Sequence, residues 1–452
     1  MEAGTGSCQR IVPRFHLYVR GVLGLMTLLV GIYGYRGSQA KKLAFPLGEI
    51  GGRDFREVLR AAEDVESHNN LYVYALEFAE SVDFRTFVTY QIGSYPYPPL
   101  LALLARPFLS FEIEGAIILW TGLNHGLLLI SALLLSLAFK GTSKLEVYDL
   151  ISRSILFFLL FFFYRPVQLV LQIGQVDIVI LCFLSLAFLL HRRGYDAAAG
   201  IPLALVISIK PMLGFILVFL AWERRWKTLV VSVGLAAVLA VWGFEVVGWQ
   251  YLGDYLQVNR TWASGAFLAF PVNQSPTGLV TRAFTANTYC QPIAVIPGLA
   301  KLIPIVAGMI ALGLWLLAML LSSEKHCPAP GLKFGLTMTT MMLISPLTED
   351  NHFVWALIPI AALLSAVSDE LCSLGDFLVL TLIFVLALYL GYPAISDKIY
   401  AGHEALLYQG ELVPSSNVWF SGAYLYGLSL LHMCLAGCLL LHNAACARKS
   451  AD

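Results

Sequence analysis

The chain has 452 residues, 58% of them hydrophobic and only 13% charged, and its formal charge sums to zero. Soluble domains carry roughly 25% charged residues, so a water-soluble globular protein is excluded, and a neutral chain offers no electrostatic footprint for nucleic acid. Apolar blocks of about 20 residues, the length that a hydrocarbon core of roughly 30 Å demands, recur along the sequence. They define an all-α polytopic membrane protein, read as one domain over residues 1–452.

About ten full spans are predicted from hydropathy, at 15–35, 113–139, 150–164, 174–190, 227–247, 298–321, 333–346, 352–367, 376–393 and 418–441. The first has the basic start and apolar middle of a signal peptide. No small-x-small cleavage site follows, so it is read as an uncleaved anchor. Short connections rich in Lys and Arg stay cytoplasmic. Arg10, Arg14 and Arg20, Lys140 with Lys144, Arg192-Arg193, Arg224-Arg225 with Lys227, Lys325 with Lys333, and Arg448-Lys449 therefore mark the inner face. Segments 36–112, 248–297, 347–351 and 394–417 then lie outside.

In the first outer loop, Phe55, Val58, Leu59 and Ala62 keep helical spacing, which predicts a short helix lying along the interface. Asp54 stands at its start. It is either an N-cap or a general base that takes a proton from an incoming hydroxyl at the water–lipid boundary. The loop closes on Tyr95-Pro96-Tyr97-Pro98-Pro99, a stiff aromatic entry into the membrane in which Tyr97 is a candidate substrate contact.

Residues 197–221 are apolar but flanked by basic clusters at both ends, and Lys210-Pro211 interrupts them. Proline disfavours helix at the residue before it and breaks the ladder. Two half-membrane helices with Lys210 near the turn are predicted, and a charge at that depth is a functional candidate. The alternative is one tilted helix with Lys210 snorkelling outward.

The second outer loop holds two sequons, Asn259-Arg260-Thr261 and Asn273-Gln274-Ser275. The second, with Arg282, offers amide, hydroxyl and guanidinium donors suited to a sugar or a phosphate. After Ser345-Pro346, the charged link Glu349-Asp350-Asn351-His352 places two carboxylates and an imidazole at a helix mouth, where the imidazole could donate to a leaving phosphate oxygen. His125 and His432 lie in apolar helices and are read as packed core. The eight cysteines show no zinc or redox spacing, and no His, Cys and carboxylate grouping has metal-ligand spacing, so no metal or other cofactor is expected.

Taken in order, Asp54 with Ala61-Ala62, Tyr97-Pro98-Pro99-Leu100, Gly174-Gln175-Val176-Asp177, Ile209-Lys210-Pro211, Arg224-Arg225-Trp226, Asn273-Gln274-Ser275 with Arg282, and Ser345-Pro346 before His352 resemble glycosyltransferase family 87. The resemblance implies a GT-C-like membrane fold. It also implies inverting transfer of a hexose, mannose in that family, from a polyprenyl-phosphate donor to a lipid or glycan acceptor outside the bacterial cytoplasmic membrane. Asp54 maps onto the family's base and His352 onto a second catalytic position. Tyr97, Lys210, Asn273, Gln274, Arg282, Glu349 and Asp350 are then candidate substrate contacts, with Arg282, His352 and Lys210 facing the donor phosphate. No nucleotide takes part, so no Gly-rich phosphate loop is expected. The rival reading is a transporter or lipid flippase, for which broken helices are typical. A matching second broken segment would favour it, and none is seen.

Overall fold

The computed structural model describes residues 51–81, 95–139, 147–264, 266–322, 330–369 and 411–449, together with residues 24, 25, 27 and 28 of the first predicted span. The predicted span 376–393 and most of the outer segment 394–417 lie outside the described residues, as do Arg10, Arg14, Arg20, Lys140, Lys144 and Lys325.

The regular elements among the described residues are all helices. Helix α1 (Arg53–Glu66) buries Phe55, Val58, Leu59, Ala61, Ala62 and Val65, the face its spacing predicts. After α2 (Val73–Ser81), α3 (Pro99–Ala105) packs on α1. Helices α4 (Ile113–Ala138), α5 (Val147–Phe163), α6 (Arg165–Ile173), α7 (Asp177–Arg192), α8 (Asp196–Ile209), α9 (Phe215–Trp222) and α10 (Trp226–Val247) follow. Of these α5, α4, α7, α8 and α10 form one row, each packed on the next. Helix α11 (Leu252–Trp262) lies over α2, and α12 (Pro276–Phe284) leans on α13 (Pro297–Leu321). Helices α13, α14 (Pro330–Ile344), α15 (Leu357–Asp369) and α16 (Ala423–Lys449) make a second group. The short 3-10 segment Asp350–Ala356 packs against both α6 and α7, and so joins the two groups where the polar residues gather.

By length and composition, four described helices are able to cross a membrane: Ile113–Ala138, Trp226–Val247, Pro297–Leu321 and Ser415–Leu440. The pair Leu150–Phe163 and Arg165–Ile173, bent by 61°, makes a fifth if counted as one span. The bend falls at Arg165-Pro166, where proline removes a backbone donor. The predicted spans at 174–190, 333–346 and 352–367 are helices of 16, 15 and 13 residues. At 1.5 Å per residue these cover about 20–24 Å, short of a roughly 30 Å core. Trp226 and the exposed Trp249 bracket the 22-residue α10, about 33 Å apart along the axis, as an aromatic belt requires.

At Lys210 the chain turns back. Its backbone is extended, Pro211 opens a short 3-10 turn, and α9 then runs the other way. The direction is fixed by α8 and α10. Thr228 Oγ1 donates to the Asp196 carbonyl at 2.8 Å and Ser232 Oγ to the Gly200 carbonyl at 3.3 Å, so these two helices run parallel. A chain that climbs twice side by side must descend between, and Arg225 duly returns to Asp196, Nη1 to Oδ1, at 3.4 Å. Glu223 with Lys333 (3.1 Å) lies beside this return, and Arg192 at the foot of α7 caps the Ala138 carbonyl. The other end of α7 and α8 holds Asp177 and Lys210. The connections Arg192-Arg193 and Arg224-Arg225 and Lys333 are therefore at the opposite end of the bundle from the candidate site residues.

Candidate active site

A cavity opens where α1 meets the loop before α3, the α6–α7 link, the segment 267–272 and the link 349–351. Its lining includes Arg53, Asp54 and Glu57 from α1, Tyr97, Gln175, and Glu349 with Asp350 and Asn351. Trp262, Phe267, Phe270 and Val272 supply an apolar wall.

Asp54 is not a cap. Gly52 occupies the N-cap, with a left-handed backbone, and Asp54 sits in the first turn with both oxygens engaged. Arg53 Nε donates to Oδ1 at 3.0 Å and Gln175 Nε2 to Oδ2 at 2.6 Å. Gln175 is itself held by the Tyr97 hydroxyl, which donates to Oε1 at 2.8 Å. Tyr97, Gln175 and Asp54 thus form one line of hydrogen bonds from three separate segments. Helix α1 reaches this position because Gly52 and Gly174 let the backbones touch. A Cβ at Gly174 would lie 2.7 Å from the Phe55 Cβ, and the Gly52 amide donates to the Gln172 carbonyl at 2.9 Å. Phe55 stacks on Trp120 (4.5 Å, 6°), whose indole N–H donates to the Gly174 carbonyl.

Behind this line stands a second one. Lys210 Nζ donates to Asp177 Oδ1 at 2.8 Å, and Asn351 Nδ2 donates to Asp177 Oδ2 at 2.9 Å. The ammonium also lies over the rings of Trp355 (5.3 Å) and Tyr97 (5.8 Å). Lys210 does not line the cavity; it is the countercharge of Asp177 and fixes Asn351 through it. His352 is buried behind Glu349, stacked on Trp355 at 4.7 Å, and its Nδ1 accepts the Glu349 N–H at 3.1 Å. That bond leaves Nε2 to carry the proton of the neutral ring.

The cluster Asn273, Gln274, Ser275 and Arg282 is sealed. Arg282 is 0% exposed and donates to the Phe270 carbonyl (2.9 Å), the Asn273 carbonyl (2.9 Å) and Ser421 Oγ (3.0 Å). Asn273 bonds the Leu268 and Pro346 carbonyls, and Gln274 those of Pro271 and Ser421. The expectation that Arg282 meets the donor phosphate, and that Asn273 and Gln274 touch substrate, does not fit these placements. Most of their hydrogen bonds go to backbone groups, with Arg282 Nε on Ser421 Oγ, and Asn273 at 0% exposure is closed to glycosylation as well. They brace the loop that carries Phe267, Phe270 and Val272, and the isolated bridge between Asn273 and Glu349 ties that loop to the cavity rim.

Electrostatics set the carboxylates apart. Glu349, half-buried and outside the spans, is pushed up to about 7. Loss of water is the main cause, Lys210 pulls the other way, and Asp350, Asp54 and Asp177 push it further up. Burial, then the neighbouring Asp54, also holds Glu57 well above the usual carboxylate range. Sequence reasoning missed Glu57, although it stands three residues after Asp54, on the same helix face. It missed Gln175 as a partner of Asp54 too, and it missed the aromatic wall. The signal for that wall was the aromatic density of a loop taken to face water.

The profile of glycosyltransferase family 87 matches residues 95–346. That is more than half of the chain, which belongs to this family and is a membrane glycosyltransferase. No curated protein sequence matches it. The matched stretch contains Tyr97, Gln175, Asp177 and Lys210, while Glu349 lies just past its end and Asp54 well before its start.

Proposed function

We propose that the chain moves a hexose, mannose by the family resemblance, from a polyprenyl-phosphate donor to a hydroxyl of a lipid or glycan acceptor, with inversion. The proposal places the site at the outer face of a bacterial cytoplasmic membrane, in a single domain with about ten spans and a re-entrant pair over residues 197–221. One observation carries it: a carboxylate, Asp54, held on both oxygens and opening into a cavity whose other walls are aromatic and acidic. Carboxylates and aromatic faces suit a neutral sugar, whose hydroxyls donate and whose C–H faces stack.

In this reading Asp54 takes the proton of the acceptor hydroxyl. The freed oxygen attacks the anomeric carbon from the face opposite the phosphate, the C1–O bond breaks, and its electron pair stays with the phosphate. Arg53, the cation that lines the cavity among the described residues, offsets that charge as it develops. Lys210 and His352 act from behind, by fixing Asp177, Asn351 and Glu349. Tyr97, Asp350 and Glu57 are placed to meet sugar hydroxyls.

The test is direct. Purified protein in lipid, supplied with polyprenyl-phosphate mannose and a membrane lipid extract, is expected to release polyprenyl phosphate and form a new glycolipid. Asp54→Asn should remain folded and lose both products. Unchanged release in Asp54→Asn would place the base elsewhere, and donor movement across the bilayer without either product would favour transport.

A further inference from the structure

We propose that Glu349 is a second catalytic carboxyl, a general acid that gives its proton to the leaving phosphate oxygen while Asp54 takes one from the acceptor. This rests on the transferase reading above and adds a role that the family match does not assign.

The reason is charge. The cavity is lined by four carboxylates, Asp54, Glu57, Glu349 and Asp350, against Arg53, which already bonds Asp54. When the glycosidic bond breaks, a phosphodiester becomes a phosphomonoester whose second ionisation lies near pH 6. A second negative charge would then develop among like charges. Among the described residues, the buried cations beside the cavity are spoken for: Lys210 is bound to Asp177, and Arg282 is sealed behind the cavity. His352, whose Nδ1 accepts a backbone N–H, is a neutral ring and adds no positive charge. Among the described groups, a proton is the neutraliser left.

Glu349 is built to supply it. Its backbone is fixed by the bridge to Asn273, by its N–H on His352 Nδ1, and by its carbonyl accepting the His352 N–H at 3.0 Å. Charged and titratable groups face it from every element around the cavity. They are Arg53, Asp54 and Glu57 of α1, Tyr97 before α3, Asp177 of α7, Lys210 at the chain reversal, and Asp350 and His352 of its own segment. In that setting burial and the acidic neighbours outweigh Lys210, and the carboxyl keeps its proton up to about 7.

The step balances. The acceptor O–H breaks and its proton passes to Asp54; the acceptor oxygen bonds the anomeric carbon. The bond from that carbon to the phosphate oxygen breaks, and the oxygen keeps the pair and receives the Glu349 proton. Asp54 then returns its proton to Glu349 across the same cavity, and no other reactant is consumed.

The experiment uses the full chain in lipid discs, with polyprenyl-phosphate mannose as donor and a membrane lipid extract as acceptor. Release of polyprenyl phosphate is followed against pH, and the carboxylic-acid carbonyl band is titrated by infrared difference spectroscopy. Wild type should lose kcat as pH rises past about 7. Glu349→Gln should lower kcat about 10²-fold, leave the donor KM within about threefold and remove the near-neutral acid band. Glu349→Asp should restore part of the rate together with the alkaline fall. Wild-type kcat in Glu349→Gln, or an unmutated protein with no acid band titrating near neutral pH, overturns the proposal. The second readout needs no variant to fold. If Asp54→Asn is inactive while Glu349→Gln is active, the base stands and this inference alone fails. If both variants are active, the site reading fails with it.

Discussion

Two polar clusters sit within one loop of each other and behave in opposite ways. The line Tyr97–Gln175–Asp54 presents a carboxylate to a cavity, whereas Asn273, Gln274, Ser275 and Arg282 present nothing to it. Both contain the donors and acceptors that bind sugars and phosphates. The difference lies in what consumes them. Around Arg282 the partners are main-chain carbonyls of Phe270 and Asn273, groups that must be satisfied in any buried loop. Around Asp54 the partners are the side chains of Arg53 and Gln175, the latter held in turn by Tyr97, and they leave the carboxylate facing open space.

Asp54→Asn tests the first cluster most severely. Transfer should fall by about 10²–10⁴, the range for a removed acid–base group, with the folded fraction unchanged by tryptophan fluorescence or size-exclusion profile. The buried pair behind it comes next. Asp177→Asn leaves Lys210 without its countercharge, and breaking such a pair costs about 3–5 kcal/mol, whereas replacing both partners is nearly neutral. Asp177→Asn should therefore unfold at much lower temperature in detergent, and adding Lys210→Met should recover most of the loss. A double variant no better than the single one would show that the pair does not act as a unit.

For the sealed cluster the expected loss is in stability, not chemistry. Arg282→Lys cannot reproduce three divergent hydrogen bonds, and an unmet buried carbonyl costs about 1–3 kcal/mol. Its thermal midpoint should drop while turnover per folded molecule stays near wild type; a selective loss of turnover would return Arg282 to the site. Gln175→Leu should lower kcat roughly tenfold with donor KM little changed, because a displaced base loses rate without losing binding. Equal changes in both constants would make Gln175 a substrate contact.

The smallest effect is a pH dependence of stability. Glu349 is raised in the folded chain from an ordinary value of 4.5 to about 7. Its contribution is therefore fully present below 4.5 and is lost as pH rises through about 7. Thermal midpoints of the wild type should decline between these values, and Glu349→Gln should flatten the decline. A wild-type profile that is flat over that window would argue against a neutral Glu349.

Much of this was legible in the sequence, and for physical reasons. Helix α1 announced itself because Phe55, Val58, Leu59 and Ala62 obey a helical period, and Asp54 stood out as a charge beside that apolar face. Lys210 was legible as a break because proline follows it. Its partner was not, since Asp177 lies 33 residues away and only packing brings them together. Arg282 misled for the converse reason: residue type shows what a side chain can bond, whereas burial decides what it does bond. The shorter helices at 177–192, 330–344 and 357–369 read as full spans because hydropathy averages over a window and does not register a helix that stops at the depth of a polar site.

The contact between Gly52 and Gly174 has a mechanical meaning. A long side chain is a lever, and thermal rotamer motion at its root is magnified at its tip. Here the Asp54 carboxylate stands two residues from a place where backbones touch with no side chain between them, so its lever is as short as the covalent structure allows. Addition of one methyl group at Gly174, where the φ of +78° would strain any side chain, would wedge α1 outward at the Phe55 Cβ, 2.7 Å away. The wedge would be transmitted almost undiminished to Asp54. Two absent side chains, more than any bond to the carboxylate, set the gauge between the helix that carries Asp54 and the bundle it packs on.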